Sequence, residues 1–289
     1  MAIARVGENE IWYEVSGDGP GLPVVLLMGL ATDANSWQRQ VPVLERSRRV
    51  LVLDNRGVGR SSKPPGPYTT AALAADALAV MDAAGIGEAH VVGISLGGAI
   101  AQELVLARPE RARSLVLIAT FAAQDAEMQR TADAGAGAAV RPGFDVAAAL
   151  RGLAEGKVEL DPRAMIGFLM PLVFSKKFME DEKALLKSLW DRAVEYGLSV
   201  KGFAGQVAAA MRHDTRARLA TIAVPTLIVT GDKDRLVPAR HSRALAAAIR
   251  GAKLVEIPGG THGLPLERAD DVNRILVDWL AAHDPAKAP

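Results

Sequence analysis

The 289-residue chain contains no cysteine. Disulfides, thiolate nucleophiles and cysteine-bound metal are therefore excluded, while the compartment is left open. Charge imbalance is also lacking: 34 Lys and Arg stand against 33 Asp and Glu, a formal net charge of +1. No basic run of the kind that grips phosphate occurs, so no nucleic-acid partner is expected. Residues 1–10, MAIARVGENE, have no apolar signal core, and secretion by that route is not expected. The longest apolar stretch near them, Val24 to Ala31, is too short to cross a bilayer. A soluble, cytoplasmic protein with no membrane partner is the expectation. The hydrophobic fraction of 49% fits a globular core, and the length suits one large domain or two small ones.

Short apolar runs alternate with helix-length amphipathic segments, the pattern of a parallel α/β sheet. Residues 24–28, 50–53, 90–94, 115–118, 226–229 and 254–257 read as central strands, most of them continuous and β-branched because both faces are to be covered. Ile11 to Val15 alternates like a half-buried strand near an antiparallel edge, and the first strand pair is expected to form a hairpin. Helices are expected at about 36–45, 70–84, 98–107, 239–249 and 266–282. The Ala-Pro tail after His283 reads as disordered.

Between Phe121 and Ala220 the alternation stops. After a Gly/Ala-rich region at Ala134–Gly137, helices are expected at 144–153, 162–174, 176–196 and 201–213. An all-helical insert between two core strands is most simply a cap over the strand C-termini, where open α/β sheets bind ligands. The expected division is therefore a core of residues 1–120 and 221–289 with a cap of 121–220.

The densest chemical signal is Gly93-Ile94-Ser95-Leu96-Gly97, between the strand-like 89–92 and the helix-like 98–104. Gly-x-Ser-x-Gly at a strand-to-helix junction holds a serine on a sharp turn with its hydroxyl above the sheet. The helix that follows aims free N–H groups and the positive end of its dipole at charge forming beside that serine. A serine hydroxyl needs an imidazole to take its proton, and the imidazole needs a carboxylate to fix its tautomer. Both are available in loops after late strands: Asp232 and Asp234 in Gly231-Asp232-Lys233-Asp234, and His262 in Gly259-Gly260-Thr261-His262-Gly263. His90, His213, His241 and His283 read as solvated or locally hydrogen-bonded. His241 and His283 are placed on surface helices. No pair of them has metal-ligand spacing with carboxylate support, so no metal and no cofactor are expected.

With these motifs the chain resembles the α/β-hydrolase superfamily along nearly its whole length, in the branch of 3-oxoadipate enol-lactonase-like esterases and cofactor-free haloperoxidases. The matching segments are Asp54-Asn55-Arg56-Gly57-Val58-Gly59-Arg60-Ser61, the Ser95 turn, Gly231-x-x-Asp234 with Val237-Pro238, and Gly260-x-His262 with Glu267. The resemblance implies a mostly parallel eight-stranded sheet flanked by helices, with a helical cap after the sixth strand. It implies a Ser95–His262–Asp234 triad, the family pattern selecting Asp234 over Asp232. One oxyanion donor is expected at the N–H of Leu96. The other comes from the loop after strand 24–28, where the family's usual His-Gly-X is here Met28-Gly29-Leu30. Leu30 inherits that role, and Met28 removes a side chain that usually buttresses the loop. Asp54 and Arg56 are expected to close a strand end and to pair.

The implied activity is hydrolysis of a small-molecule carboxylic ester or lactone through an acyl-enzyme on Ser95. A ligand sensor with little turnover, and carbon–carbon bond hydrolysis or perhydrolysis on the same triad, are the alternatives. About a third of Met165, Phe168, Leu169, Met170, Leu172, Phe174, Phe178, Met179, Leu189, Trp190 and Phe203 are expected to face the cavity, with Trp37 as a further wall. The mixed charges of Glu180–Lys187 read as a solvated helix face. No Arg or Lys can be placed inside the cavity from the sequence.

Overall fold

The computed structural model describes residues 1–124, 169–197 and 199–285. Eight strands form one sheet: β1 (Ala2–Val6), β2 (Asn9–Ser16), β3 (Gly21–Leu27), β4 (Arg48–Leu53), β5 (Ala89–Ile94), β6 (Ala112–Ile118), β7 (Thr226–Gly231) and β8 (Lys253–Ile257). Their spatial order is β1-β2-β4-β3-β5-β6-β7-β8. β1 pairs with β2 and β2 with β4 in antiparallel fashion, and every other pairing is parallel. The hairpin thus joins β2 to the preceding β1, while β3 crosses over to lie between β4 and β5.

Alternation along the central strands divides the core in two. Val25, Leu27, Val91, Leu115 and Leu117 pack on one face of the sheet against the helices Thr70–Ala83, Leu96–Ala107 and Ala239–Ala248. Val24, Leu26, Met28, Val92, Val116 and Ile118 pack on the other, against Trp37, Leu44 and the apolar side of the helix Ala269–Ala282. Burying each such aliphatic side chain contributes about 1.5–3 kcal/mol. β2 departs from the expected alternation: Ile11, Trp12 and Tyr13 are all buried. Arg60 stacks over the Trp12 ring, covering the face that alternation assigns to solvent.

Helix ends follow local chemistry. Thr69 Oγ1 accepts the Ala72 N–H at 3.1 Å to start the helix Thr70–Ala83. Gly85, at φ 65°, ends it, with Ile86 N–H donating to Met81 C=O and Gly85 N–H to Asp82 C=O. Two expected helices are broken. Residues 34–37 form a 3₁₀ turn capped by Asp33, separate from Val41–Leu44. Leu264–Glu267 is separated from Ala269–Ala282 at Arg268, whose ψ of 43° leaves the helical region.

Between β6 and β7 the described residues are helical at 169–173, Lys176–Asp181, Lys183–Glu195 and Val200–Arg212. The expected helix at 144–153, most of that at 162–174, the Ala134–Gly137 region, and Met165 and Phe168 lie outside the described residues. At the other end, Asp284 is ordered rather than part of a loose tail. It pairs with Arg48 (3.0 Å), accepts from Leu22 N–H (3.0 Å) and contacts His90 Nε2 (3.2 Å). Among the described residues, no helix is long and apolar enough to cross a membrane.

Candidate active site

Ser95 sits between β5 and the helix Leu96–Ala107 at φ 54°, ψ −122°, a conformation that costs of order 1–3 kcal/mol and persists only when its surroundings enforce it. They do so here. Ser95 N–H donates to Ile118 C=O (2.9 Å), and Ser95 C=O accepts from Thr120 Oγ1 (2.6 Å) and Gly98 N–H (2.9 Å). The flanking glycines are required by space: a Cβ on Gly93 would collide with the Gly97 carbonyl, and one on Gly97 with the Leu27 carbonyl.

His262 lies in the loop after β8, and its Nδ1 is 2.8 Å from Asp234 Oδ2. Asp234, in the loop after β7, is fixed in turn because its Oδ1 accepts the N–H groups of Leu236 (2.9 Å) and Val237 (2.7 Å). A carboxylate on Nδ1 holds the proton there and leaves Nε2 as the acceptor. Asp232 has the turn role expected of it, accepting Gly259 N–H at 2.6 Å. Thr261 Oγ1 and Ser175 N–H both donate to Glu267 Oε2 (2.6 and 3.1 Å), and Gly263 N–H donates to Val173 C=O (2.8 Å). The His262 loop is thereby tied to the segment around 173–175.

Ser95, His262 and Leu30 line one cavity of about 540 Å³. Its walls are mainly apolar: Met28, Ile94, Leu169, Met170, Val173, Phe174, Leu186, Leu189, Trp190 and Leu236 contribute. Leu172, Phe178 and Phe203 are instead buried in packing. Lys187, from the face read as solvated, also lines the cavity, with its exposed ammonium 2.5 Å from Asp191. Asp33 is a second charged wall residue. Its Oδ1 accepts from Asn35 N–H (2.8 Å), and burial, reinforced by Asp54, pushes its carboxyl above the usual range. Trp37 is not on this cavity. It is fully buried, in the same core cluster as Leu26 and Leu44.

The loop after β3 approaches the serine closely: a Cβ on Gly29 would lie 3.2 Å from Ser95 Cβ and 3.8 Å from Oγ. Leu96 opens its helix, so its N–H has no carbonyl one turn earlier to receive it. Position 28 holds the loop through its backbone, since Met28 C=O accepts from Asn55 Nδ2 at 2.8 Å. Thr32 Oγ1 donates to Gly29 C=O (3.0 Å), and Ala31 N–H, at φ 61°, donates to Gln206 Oε1 (2.9 Å). The reading from sequence missed Gln206. Its signal is a polar residue on an apolar stripe, three after Phe203 and beside Val207, both buried.

The Asp54–Ser61 segment is structural, with a different pairing from the expected one. Asp54 pairs with Arg60 (2.7 and 2.9 Å) and Arg56 with Asp76 (2.9 and 2.5 Å). Gly59, at φ 58°, lets the turn bring Arg60 back, and a Cβ there would collide with the Asp54 carboxylate. The remaining histidines lie elsewhere. His90 and His213 are buried, bonded to Ser114 (2.8 Å) and Thr70 (3.0 Å), and burial pushes both down to about 4. His241 is buried on the inner side of its helix rather than on the surface.

Comparison with known proteins agrees with this fold. The sequence matches the family described as alpha/beta hydrolase fold over residues 23–269. A protein of Azorhizobium caulinodans, provisionally named carbamate hydrolase RutD, is 31% identical over 98% of this chain and 100% of its own length. The enol-lactonase from Burkholderia xenovorans LB400 superposes with a TM-score of 0.79 at 30% identity, covering 97% of this chain and 100% of that one. Est816, described as an N-acyl homoserine lactone degrading enzyme, gives 0.76 at 25% identity over 96% and 100%. With its sheet, its serine turn and a family match over most of its length, the chain belongs to the α/β-hydrolase fold family.

Proposed function

We propose that this protein is a serine hydrolase that cleaves an uncharged or weakly polar carboxylic ester or lactone through an acyl-enzyme on Ser95. The observation that carries the reading is the 2.8 Å contact of Asp234 with His262, which lines the same cavity as Ser95. In this mechanism Ser95 Oγ attacks the carbonyl carbon while His262 Nε2 takes its proton. The carbonyl oxygen becomes an oxyanion held by the N–H groups of Leu30 and Leu96. The bond to the leaving oxygen then breaks, and His262 passes its proton to the departing alkoxide. Water, activated by His262, releases the acid and restores the serine. Asp234 stays ionised and stabilises the imidazolium.

The cavity supports the substrate class. Its volume of about 540 Å³ lies in the range that takes a whole small-molecule ligand. Its aliphatic and aromatic walls favour an apolar acyl or alkyl group, at about 0.8 kcal/mol per buried methylene. The names of the lactone-cleaving neighbours fit the same chemistry. The protein's partner is accordingly a small molecule. The test is a panel of p-nitrophenyl esters and lactones of increasing acyl length. kcat/KM is expected to rise with length up to the cavity limit and to collapse in Ser95→Ala. Flat, low rates that Ser95→Ala leaves unchanged would overturn the reading.

A further inference from the structure

We propose that Gln206 is a positioning residue for the oxyanion site, through which the helix Val200–Arg212 sets the direction of the Leu30 N–H; this rests on the acyl-enzyme reading above. The Gly29 carbonyl and the Leu30 N–H belong to one rigid plane and point in opposite directions. Thr32 Oγ1 holds that carbonyl at 3.0 Å, which fixes one side of the plane. The next peptide presents the Ala31 N–H, and Gln206 Oε1 holds it at 2.9 Å. Upstream, Asn55 Nδ2 holds the Met28 carbonyl at 2.8 Å. Three ties therefore bracket the Leu30 N–H.

Of the three, the Gln206 tie comes from farthest along the chain, and it restrains the residue most in need of restraint. Ala31 sits at φ 61°, a left-handed conformation that a non-glycine residue keeps only when its surroundings hold it. Relaxation of Ala31 would rotate the neighbouring Leu30 peptide away from its direction. Gln206 is itself fully buried and uses both ends of its amide. While Oε1 accepts from Ala31, Nε2 donates to the Arg56 carbonyl at 2.9 Å. That carbonyl is anchored, because the Arg56 side chain forks onto Asp76. Close packing brings the helix near enough: a Cβ on Gly202 would collide with the Gly57 carbonyl. The amide thus spans from the Arg56–Gly57 turn to the oxyanion loop, and a displacement of the Val200–Arg212 helix would be read out at Leu30.

The test uses Gln206→Met, which keeps the side-chain length and packing but removes both bonds, and Gln206→Asn, which keeps an amide too short to span the gap. p-Nitrophenyl hexanoate reports kcat and KM. An alkyl trifluoromethyl ketone reports oxyanion binding: Ser95 Oγ adds to its carbonyl carbon, the proton passes to His262, and the former carbonyl oxygen carries the negative charge. Leu219→Ala, a core substitution beside the Ala239–Ala248 helix, controls for lost stability. The expected result is a fall in kcat of about tenfold to a hundredfold for Gln206→Met, with KM within about twofold and ketone affinity falling in step with kcat. Gln206→Asn is expected to lie between Gln206→Met and wild type. Leu219→Ala is expected to lower Tm at least as much while leaving kcat and ketone affinity unchanged. Should the Gln206 variants lose only Tm, keeping wild-type kcat and ketone affinity, the positioning role is overturned. A wild-type protein that neither turns over the ester nor binds the ketone would overturn the acyl-enzyme reading, and this proposal with it.

Discussion

Replacing Asp234 in two ways separates its chemical task from its structural one. The carboxylate has two jobs on two oxygens: Oδ2 faces His262 Nδ1 at 2.8 Å, and Oδ1 accepts from Leu236 and Val237 N–H at 2.9 and 2.7 Å. Asp234→Asn can keep its oxygen on the two backbone donors, placing its NH₂ against Nδ1. That forces the proton to Nε2, where it faces the serine and cannot accept. The equivalent change in triad enzymes lowers kcat about 10⁴-fold, which corresponds to about 5 kcal/mol of transition-state stabilisation. Stability should change by no more than about 1 kcal/mol because the backbone donors remain paired. Asp234→Ala should lose a similar factor in kcat. It also strands both N–H groups, at about 1–3 kcal/mol each, so about 3 kcal/mol of stability goes as well. Steady-state hydrolysis of a p-nitrophenyl ester measures the first effect and urea unfolding the second. If Asp234→Asn kept activity within tenfold of wild type, or if Asp232→Asn were the variant that lost it, the assignment of the carboxylate would be refuted.

Three further outcomes follow from the same geometry. His90 and His213 have folded pKa values near 4 against 6.5 unfolded, so the unfolded chain binds more protons between those values. Stability should be full above pH 6.5 and fall towards pH 4 by up to about 3 kcal/mol per histidine, as read by urea unfolding across that range; a flat profile would contradict their burial as neutral rings. Gly97→Ala would drive a methyl into the Leu27 carbonyl, so it should cost about 2 kcal/mol or more and abolish turnover; wild-type Tm and kcat would show that the turn has room. Trp37→Ala should lower stability by about 3–5 kcal/mol, yet where folded it should leave KM little changed, since Trp37 is core rather than cavity wall; a selective rise in KM would return it to the site.

The strands and the serine turn are legible in the sequence because each rests on local chemistry. Continuous β-branched runs mark buried parallel strands. Gly93 and Gly97 stand where backbone passes within contact distance, so their spacing between a strand and a helix carries the geometry. His262 and the pair Asp232 and Asp234 can be placed because each loop follows its own strand by a few residues, and the family resemblance selects Asp234 from the pair. Partner choice across the chain is less legible. Asp54 pairs with Arg60 rather than with Arg56 because the turn through Gly59 brings position 60 back on the carboxylate, which sequence distance does not reveal. Asp284 is pinned by Arg48 and His90, residues far away in sequence. Trp37 follows the loop by only a few residues, yet at the end of the 3₁₀ turn from Ala34 it joins the core on one face of the sheet. Gln206 was hidden for the same reason: nothing near it in sequence announces a contact with residue 31.

The most direct measurement is labelling with a fluorophosphonate, with the modified peptide located by mass. The proposed mechanism predicts a single adduct on Ser95, formed at wild-type rate in Trp37→Phe, strongly slowed when His262 is replaced by alanine, and absent in Ser95→Ala. An adduct on another residue, or ester hydrolysis that survives in Ser95→Ala, would contradict it.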